Sequence, residues 1–127
     1  MKNVLLKTFL FTLTIFLYTP KILSMTERKQ FLNNPLVFIN KTLTLNLFFT
    51  SMDTHKKTLT FLPDRARRIP QCQFEIKYKE QVPALQQFHF YNVTFKVTHA
   101  EKSKFSPGVG NWNYYVWAEY ISHRFEE

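Results

Sequence analysis

The chain has few of the residues that cross-link or bend a small fold. Its 127 residues include one cysteine, Cys72, so no intramolecular disulfide can form and the fold must be held by packing. There are two glycines, Gly108 and Gly110, and both lie in one short run that begins at Pro107. Because glycine adopts positive φ without strain, this run predicts a tight return between two long strands.

Patterns that carry catalysis or hold a cofactor are also missing. The histidines stand at no metal-ligand spacing from one another or from the cysteine: His55, His89, His99 and His123. No serine or cysteine lies in a nucleophile motif, and the carboxylates are scattered along the chain. The sequence therefore predicts a non-enzymatic protein with no cofactor and no metal. Cys72 is interpreted as a core residue, and a free or intermolecular thiol is the alternative.

Aromatic residues and period-two patterns are abundant. Phenylalanine, tyrosine and tryptophan make up 17% of the chain, which favours sheet. Alternation of apolar and polar residues predicts strands at Thr42–Thr50, Thr58–Leu62, Gln71–Lys79 and Phe88–Thr98. A short apolar run predicts another at Leu36–Ile39, and large residues on both faces predict a central strand at Trp112–Ser122. We expect an all-β domain over residues 25–127, a single small antiparallel β-sandwich or partly open barrel of five to seven strands.

One predicted strand changes face along its length. In the strand that starts at Phe88, the first inward residues are Phe88 and Phe90, and the later apolar residues have odd numbers. A β-bulge shifts the alternation in this way. The pattern therefore predicts a bulge at Tyr91–Asn92, with Phe88 and Phe90 in the core.

Residues 1–24 have the three-part pattern of a secretory signal. A positive start precedes an uncharged run of 11 residues, Thr8 to Tyr18, and Ser24 is a small residue before a candidate cleavage point. We expect an N-terminal hydrophobic helical segment that is a signal peptide or signal-anchor. The protein would then be secreted or membrane-anchored; a segment retained in an organelle and a buried core helix are the alternatives. The polar stretch Thr26–Asn34 is interpreted as a linker or a short helical turn.

The formal net charge of +8 favours an acidic partner. Basic side chains and aromatic residues expected at the surface are the candidate partner-binding residues: Arg65, Arg67, Arg68, Lys77, Lys79, Tyr91, Tyr115 and Trp117. Two Asn-x-Thr triplets make Asn40 and Asn92 candidate glycosylation sites in a secretory setting.

These features favour a non-enzymatic interaction module, exported or membrane-tethered, that recognises a protein or another acidic partner. One alternative is an OB-like barrel that holds single-stranded nucleic acid in a basic groove with aromatic platforms. Another is a small accessory subunit of an organellar or membrane assembly, with its N-terminal segment retained as the link to the membrane.

Overall fold

A computed structural model describes residues 22–65, 72–104 and 113–125. Within them the chain forms two short helices and five strands, which confirms the all-β class. The elements are α1 (Met25–Asn33), a 3₁₀ helix (Pro35–Phe38), β1 (Thr42–Asp53), β2 (Thr58–Leu62), β3 (Cys72–Lys77), β4 (Phe90–Lys102) and β5 (Tyr114–Phe125). The predicted signal segment before residue 22 and the predicted glycine return lie outside the described residues.

The five strands close into one barrel in the order β1-β2-β3-β5-β4, with β4 paired back to β1. All five described strands belong to this barrel. The barrel alternative is therefore confirmed over the sandwich, although the barrel is closed and not partly open as predicted. Four of the neighbouring pairs are antiparallel, but β3 and β5 are parallel. The expectation of a purely antiparallel sheet was therefore wrong at this pair. Between β3 and β5 the chain forms β4, which pairs with β5 on the side away from β3 and with β1 on its own other side.

The barrel interior is filled by the alternating residues that the sequence pattern predicts. On β3, Cys72, Phe74 and Ile76 are fully buried, and the next inward residue, Tyr78, is 3% exposed. The same rule holds on β1, whose inward side chains are Leu43, Leu45, Leu47 and Phe49; Thr44 is also buried, beneath Ile22 and Leu23. Because side chains alternate across a strand, each such strand gives one face to the core and the other to solvent.

The alternation of β4 differs from the predicted one. Tyr91 is buried and begins a regular inward series that continues through Val97, so there is no bulge at Tyr91–Asn92. Phe88 is instead 61% exposed, and Phe90 lies on the outer face. Register irregularities occur later, between Thr94 and Phe95 and again after Val97. The sequence pattern was misleading because two large apolar residues stand on the outside of the barrel.

The helix α1 covers one end of the barrel. The stretch predicted as a linker or short turn is helical because Ser24 and Glu27 form a capping box, each side chain accepting from the other residue's backbone N–H. Phe31 and Leu32 are its buried residues, and the Phe31 ring stacks on Phe74 with centroids 5.8 Å apart.

The predicted strand at Leu36–Ile39 is instead the 3₁₀ helix, which starts at Pro35. Proline fixes φ in the helical range and lacks the N–H that a strand would use. Among the described residues, no helix is both long enough and apolar enough to cross a membrane.

Residues 22–24 are part of the folded unit. Ile22 forms a parallel bridge with Thr44, and the Leu23 N–H donates to the Thr44 carbonyl at 3.0 Å. Arg28, one turn into α1, donates to the backbone carbonyls of Asn46 and Pro63. These bonds hold residues 22–28 against β1.

Candidate functional site

Three aromatic side chains stand in a row on the outer face of β4 and β5. Tyr115 and Trp117 project from β5, and their ring centroids are 6.2 Å apart. His99 is the cross-strand partner of Trp117 on β4, and the two rings stack at 5.2 Å. We refer to Tyr115, Trp117 and His99 as the aromatic row. It is partly exposed, so a planar ligand can reach its edges and outer rings.

Two glutamates hold the row in place. The Trp117 Nε1–H donates to Glu75 Oε2 at 3.2 Å, from the neighbouring strand β3. His99 Nε2 lies 3.1 Å from Glu101 Oε1, and both side chains are more than half exposed. The carboxylates therefore orient Trp117 and His99 from two sides, which reduces the conformational entropy that these two side chains would lose when a ligand binds.

Lysines lie beside Trp117 in one groove. Its wall is formed by His55 and Lys56 of the β1–β2 turn, Lys77 of β3, and Trp117 with Glu119 of β5. A second groove shares Lys77 and continues along Lys57, Lys79, Tyr120 and Ile121. Both grooves also have acidic side chains, Glu75 and Glu119 in the first and Glu80 and Glu119 in the second. An anionic ligand with flat apolar surface would therefore have to bind on the lysine side of the grooves.

The β1–β2 turn that carries these lysines is organised by Asp53. Its Oδ1 accepts the backbone N–H groups of His55 and Lys56, both at 3.0 Å. The bond from Lys56 is the main cause that holds the pKa of Asp53 below its usual value. Lys57 follows at a φ of +56°, the left-handed region that tight turns use.

The structure separates the predicted partner-binding residues into groups. Lys77, Tyr115 and Trp117 lie on one face, and Lys79 lines the adjoining groove. Arg65 lies elsewhere, with its guanidinium over the rings of Phe48 and Phe90. Arg67 and Arg68 are outside the described residues.

Tyr91 corrects the predicted set of exposed aromatics. It is 4% exposed, and its hydroxyl accepts the backbone N–H of Gln86 at 2.8 Å. Its ring contacts Phe125 and His123 edge-on, at 5.7 and 5.4 Å between centroids. Tyr91 therefore packs in the barrel interior, and its ring is not accessible to a ligand. The error followed from the misplaced bulge, which put Tyr91 on the wrong face.

Sequence reasoning missed two contributors to the surface. His99 was interpreted as a residue just past its strand, but β4 continues to Lys102 and His99 stacks on Trp117. The outward cluster of Phe48, Phe88 and Phe90 was also missed, because Phe88 and Phe90 were assigned to the core. A signal for the cluster did exist: Phe48 falls on the polar side of the alternation in β1.

The two candidate glycosylation sites differ in access. Asn40 is exposed in a turn at a φ of +70°, and its backbone N–H donates to the Val97 carbonyl at 2.7 Å. Asn92 is half-buried, and its Oδ1 accepts from Asn46 Nδ2 at 3.2 Å. A glycan fits at Asn40 without loss of a contact, whereas at Asn92 it would break the amide pair. Modification at either position stays a prediction.

The described residues hold no group of three or more histidine, cysteine or acidic side chains arranged to bind a metal ion. Cys72 is fully buried, and its Sγ donates to the Leu32 carbonyl at 3.4 Å, which confirms its place in the core.

Compared with protein-family models, with curated proteins and with solved structures, the chain shows no match. The function of the chain is therefore inferred from the geometry of its described residues.

Proposed function

We propose that the barrel binds single-stranded nucleic acid, with bases stacked against the aromatic row and phosphates beside the neighbouring lysines. The observation that carries the proposal is the groove in which Trp117 adjoins Lys56 and Lys77. Aromatic side chains bind bases of any sequence because every base has a flat face, and lysines follow the backbone.

The strand order supports the same function. OB-folds are five-stranded Greek-key barrels, and they bind oligonucleotides on strands 2 and 3 and on the loops after strands 1 and 4. In this chain β2 and β3 are neighbours, β5 lies beside β3, and the β1–β2 turn supplies Lys56 and Lys57. Lys102 and Lys104 are exposed where β4 ends, at the start of the β4–β5 connection.

Acidic residues on this face determine where a phosphate backbone would run. Glu75 and Glu101 contact Trp117 and His99, so their charges lie on the β3 and β4 sides of the row. Phosphates would be repelled there and attracted to the β1–β2 turn. Glu119 is the neighbour of Lys77 across the β3–β5 pair and adds a third negative charge beside the grooves. We therefore expect the backbone to follow Lys56 and Lys57 and to reach Lys77 from the side of the turn, with the bases facing the row.

Fluorescence anisotropy with labelled oligo(dT) and oligo(rU) of about 12 nucleotides tests the proposal, with a duplex of equal length for comparison. We expect single strands to bind more tightly than the duplex, and log K to fall linearly with log salt by about 0.7 per phosphate contact. Changing Lys56 and Lys77 together to Ala should flatten this slope. The matched control changes Lys29 and Lys41, which are exposed but lie outside both grooves.

Trp117→Ala should weaken binding by about 1–3 kcal/mol while leaving the salt slope unchanged, because it removes stacking and not charge. Trp117→Phe should restore most of the affinity. Absence of binding at about 50 mM salt would end the proposal, and so would an equal loss in the control pair. Equal competition by poly-glutamate would instead indicate a general acidic partner, such as a protein segment.

Export or tethering through residues 1–24 remains a prediction, as does the assignment of the protein to a secreted, membrane or organellar setting. The non-enzymatic assignment also remains a prediction. A retained N-terminal segment is compatible with nucleic-acid binding in an organellar assembly, whereas cleavage on export would favour an extracellular partner.

A further inference from the structure

A second group of aromatic side chains lies on the outside of the barrel, on β1 and β4. Phe48 and Phe90 are cross-strand partners with ring centroids 5.1 Å apart, and the Phe88 ring lies 6.2 Å from Phe48. The Arg65 guanidinium carbon lies 5.6 Å from the Phe48 centroid and 5.5 Å from that of Phe90. We refer to these four residues as the phenylalanine cluster.

Phe88 is held in this cluster by an unusual backbone. Its φ is +65°, in the left-handed region that bulky residues rarely adopt, and the residue is 61% exposed. The Phe88 N–H donates to the Phe49 carbonyl at 2.8 Å, and the Phe49 N–H donates to the His89 carbonyl at 3.0 Å. These bonds keep the strained conformation although the exposed ring gains little from burial. Strain of this kind concentrates at binding and catalytic sites.

The cation above the rings indicates the chemistry of the occupant. The Arg65 guanidinium contacts Phe48 and Phe90 through a cation–π interaction, which leaves its N–H groups available to phosphate or to base edges. An apolar protein surface would bury that charge without a partner, at a large desolvation cost. A nucleic-acid strand supplies both an anion for Arg65 and flat faces for the phenylalanines.

The position of the cluster connects it to the aromatic row. Phe48 pairs with Leu62 on β2, and Gln73 on β3 pairs with Tyr115 on β5. The β2–β3 register, continued by one pair beyond Phe61 and Phe74, places Leu62 opposite Gln73. A line across these strands therefore joins the cluster to Tyr115. Three strand spacings separate them, roughly 14 Å between the backbones. The path along the outer surface is longer, because the closed barrel curves between the two groups.

We infer that the phenylalanine cluster is a second base-stacking subsite for the same single strand, which would cross β3 and β2 between the two. This inference rests on the proposed function, and it adds a length requirement to it. A strand long enough to reach both subsites gains affinity from each, whereas a short one occupies the aromatic row alone.

Anisotropy titrations with oligo(dT) of about 4 and about 16 nucleotides test the inference. The variant is Phe88→Gly, because glycine adopts the positive φ freely and the melting temperature should not fall. We expect its Kd for the longer strand to rise about tenfold, and that for the shorter strand to stay within about twofold, since one stacked base is lost. Val37→Ala is the matched control, because Val37 is 59% exposed on the 3₁₀ helix.

The outcomes separate the two proposals. If Phe88→Gly leaves the affinity for both lengths unchanged while Trp117→Ala weakens both, the second subsite is wrong and the proposed function stands. If neither length binds the unaltered protein, the proposed function fails and the subsite fails with it. A concentration-dependent mass that Phe88→Gly abolishes, with unchanged oligonucleotide affinity, would make the cluster a contact between two copies and overturn the inference.

Discussion

The single thiol shows how a residue's surroundings determine its chemistry. Burial is the main cause that raises the pKa of Cys72 to about 12, and the nearby charge of Arg28 acts in the opposite direction. Below a pH near 9, the thiol is neutral in both the folded and the unfolded chain. At higher pH only the unfolded thiol ionises, so the free energy of unfolding should decrease as the pH rises from about 9 towards 12.

We therefore expect native Cys72 to react slowly with an aromatic disulfide reagent at pH 8, because the thiolate is the reactive form and little of it is present. The measurement is the rate of thiol release, compared between the native protein and the protein in denaturant. Rapid reaction of the native protein would contradict the assignment of Cys72 to the core. Cys72→Ser is a suitable blank for the assay.

The residue scale also shows which single side chains could be predicted from sequence. Cys72 was placed correctly because its strand alternates strictly, with Gln73 and Glu75 on the other face. Tyr91 was misplaced because Phe88 and Phe90 are large and apolar yet stand outside the barrel. Hydrophobicity alone does not distinguish a core phenylalanine from one that Arg65 covers at the surface.

At the scale of an element, the β1–β2 turn depends on one carboxylate. The bond from the Lys56 N–H is the main cause that lowers the pKa of Asp53, so the folded turn binds its proton less readily than the unfolded chain does. The stabilisation is present above a pH of about 4 and is lost as the pH falls through the folded pKa.

Asp53→Ala should therefore loosen the turn relative to the unaltered protein above a pH of about 4, where the carboxylate accepts both N–H groups. Asp53→Asn is the matched control, because its side-chain oxygen still accepts both N–H groups and does not titrate. The measurement is the NMR amide shifts of His55 and Lys56 between pH 6 and pH 2. We expect them to change in the unaltered protein at the acid end and to stay constant in Asp53→Asn. Identical shifts in Asp53→Ala and the unaltered protein would show that Asp53 does not organise the turn.

Elements differed in how well their sequences predicted them. The bounds of β2 were predicted to the residue, because a half-buried strand has period two. The strand β1 starts where predicted and ends three residues later, and β3 ends two residues earlier than predicted. The helix α1 was less clear, since Phe31 and Leu32 are its only buried residues and the rest of its sequence is polar. Its capping box, Ser24 with Glu27, was the local signal that marked its start.

At the scale of the whole molecule, local patterns could not supply the strand order. The parallel pairing of β3 with β5 joins residues more than forty positions apart, Cys72 with Tyr114, and no period in either strand encodes its neighbour. The same pairing brings Glu75 beside Trp117 and Lys77 beside Glu119, so the candidate site exists only after the barrel closes. The sequence could therefore predict the residue types at the site but not their arrangement.

The fold also bears on where the predicted N-terminal signal could be cut. Ser24 caps α1, and Ile22 and Leu23 bond to Thr44, so a cut after Ser24 would remove all of these contacts. A chain that starts at Met25 should be less stable to urea than one that starts at Ile22, by about 1–2 kcal/mol, since loss of an N-cap alone costs about that much. Ser24→Ala in the longer chain measures the contribution of the cap.

Equal stability of the two chains would show that residues 22–24 do not support the barrel. If the stability difference is observed, the intact mass of the protein from its native source becomes decisive. A mass that matches a chain starting at residue 25 would mean that the signal is cut after Ser24 and that the mature protein lacks the N-cap of α1. A mass that retains residues 22–24 would mean that the capped helix and the β1 edge stay intact in the working protein.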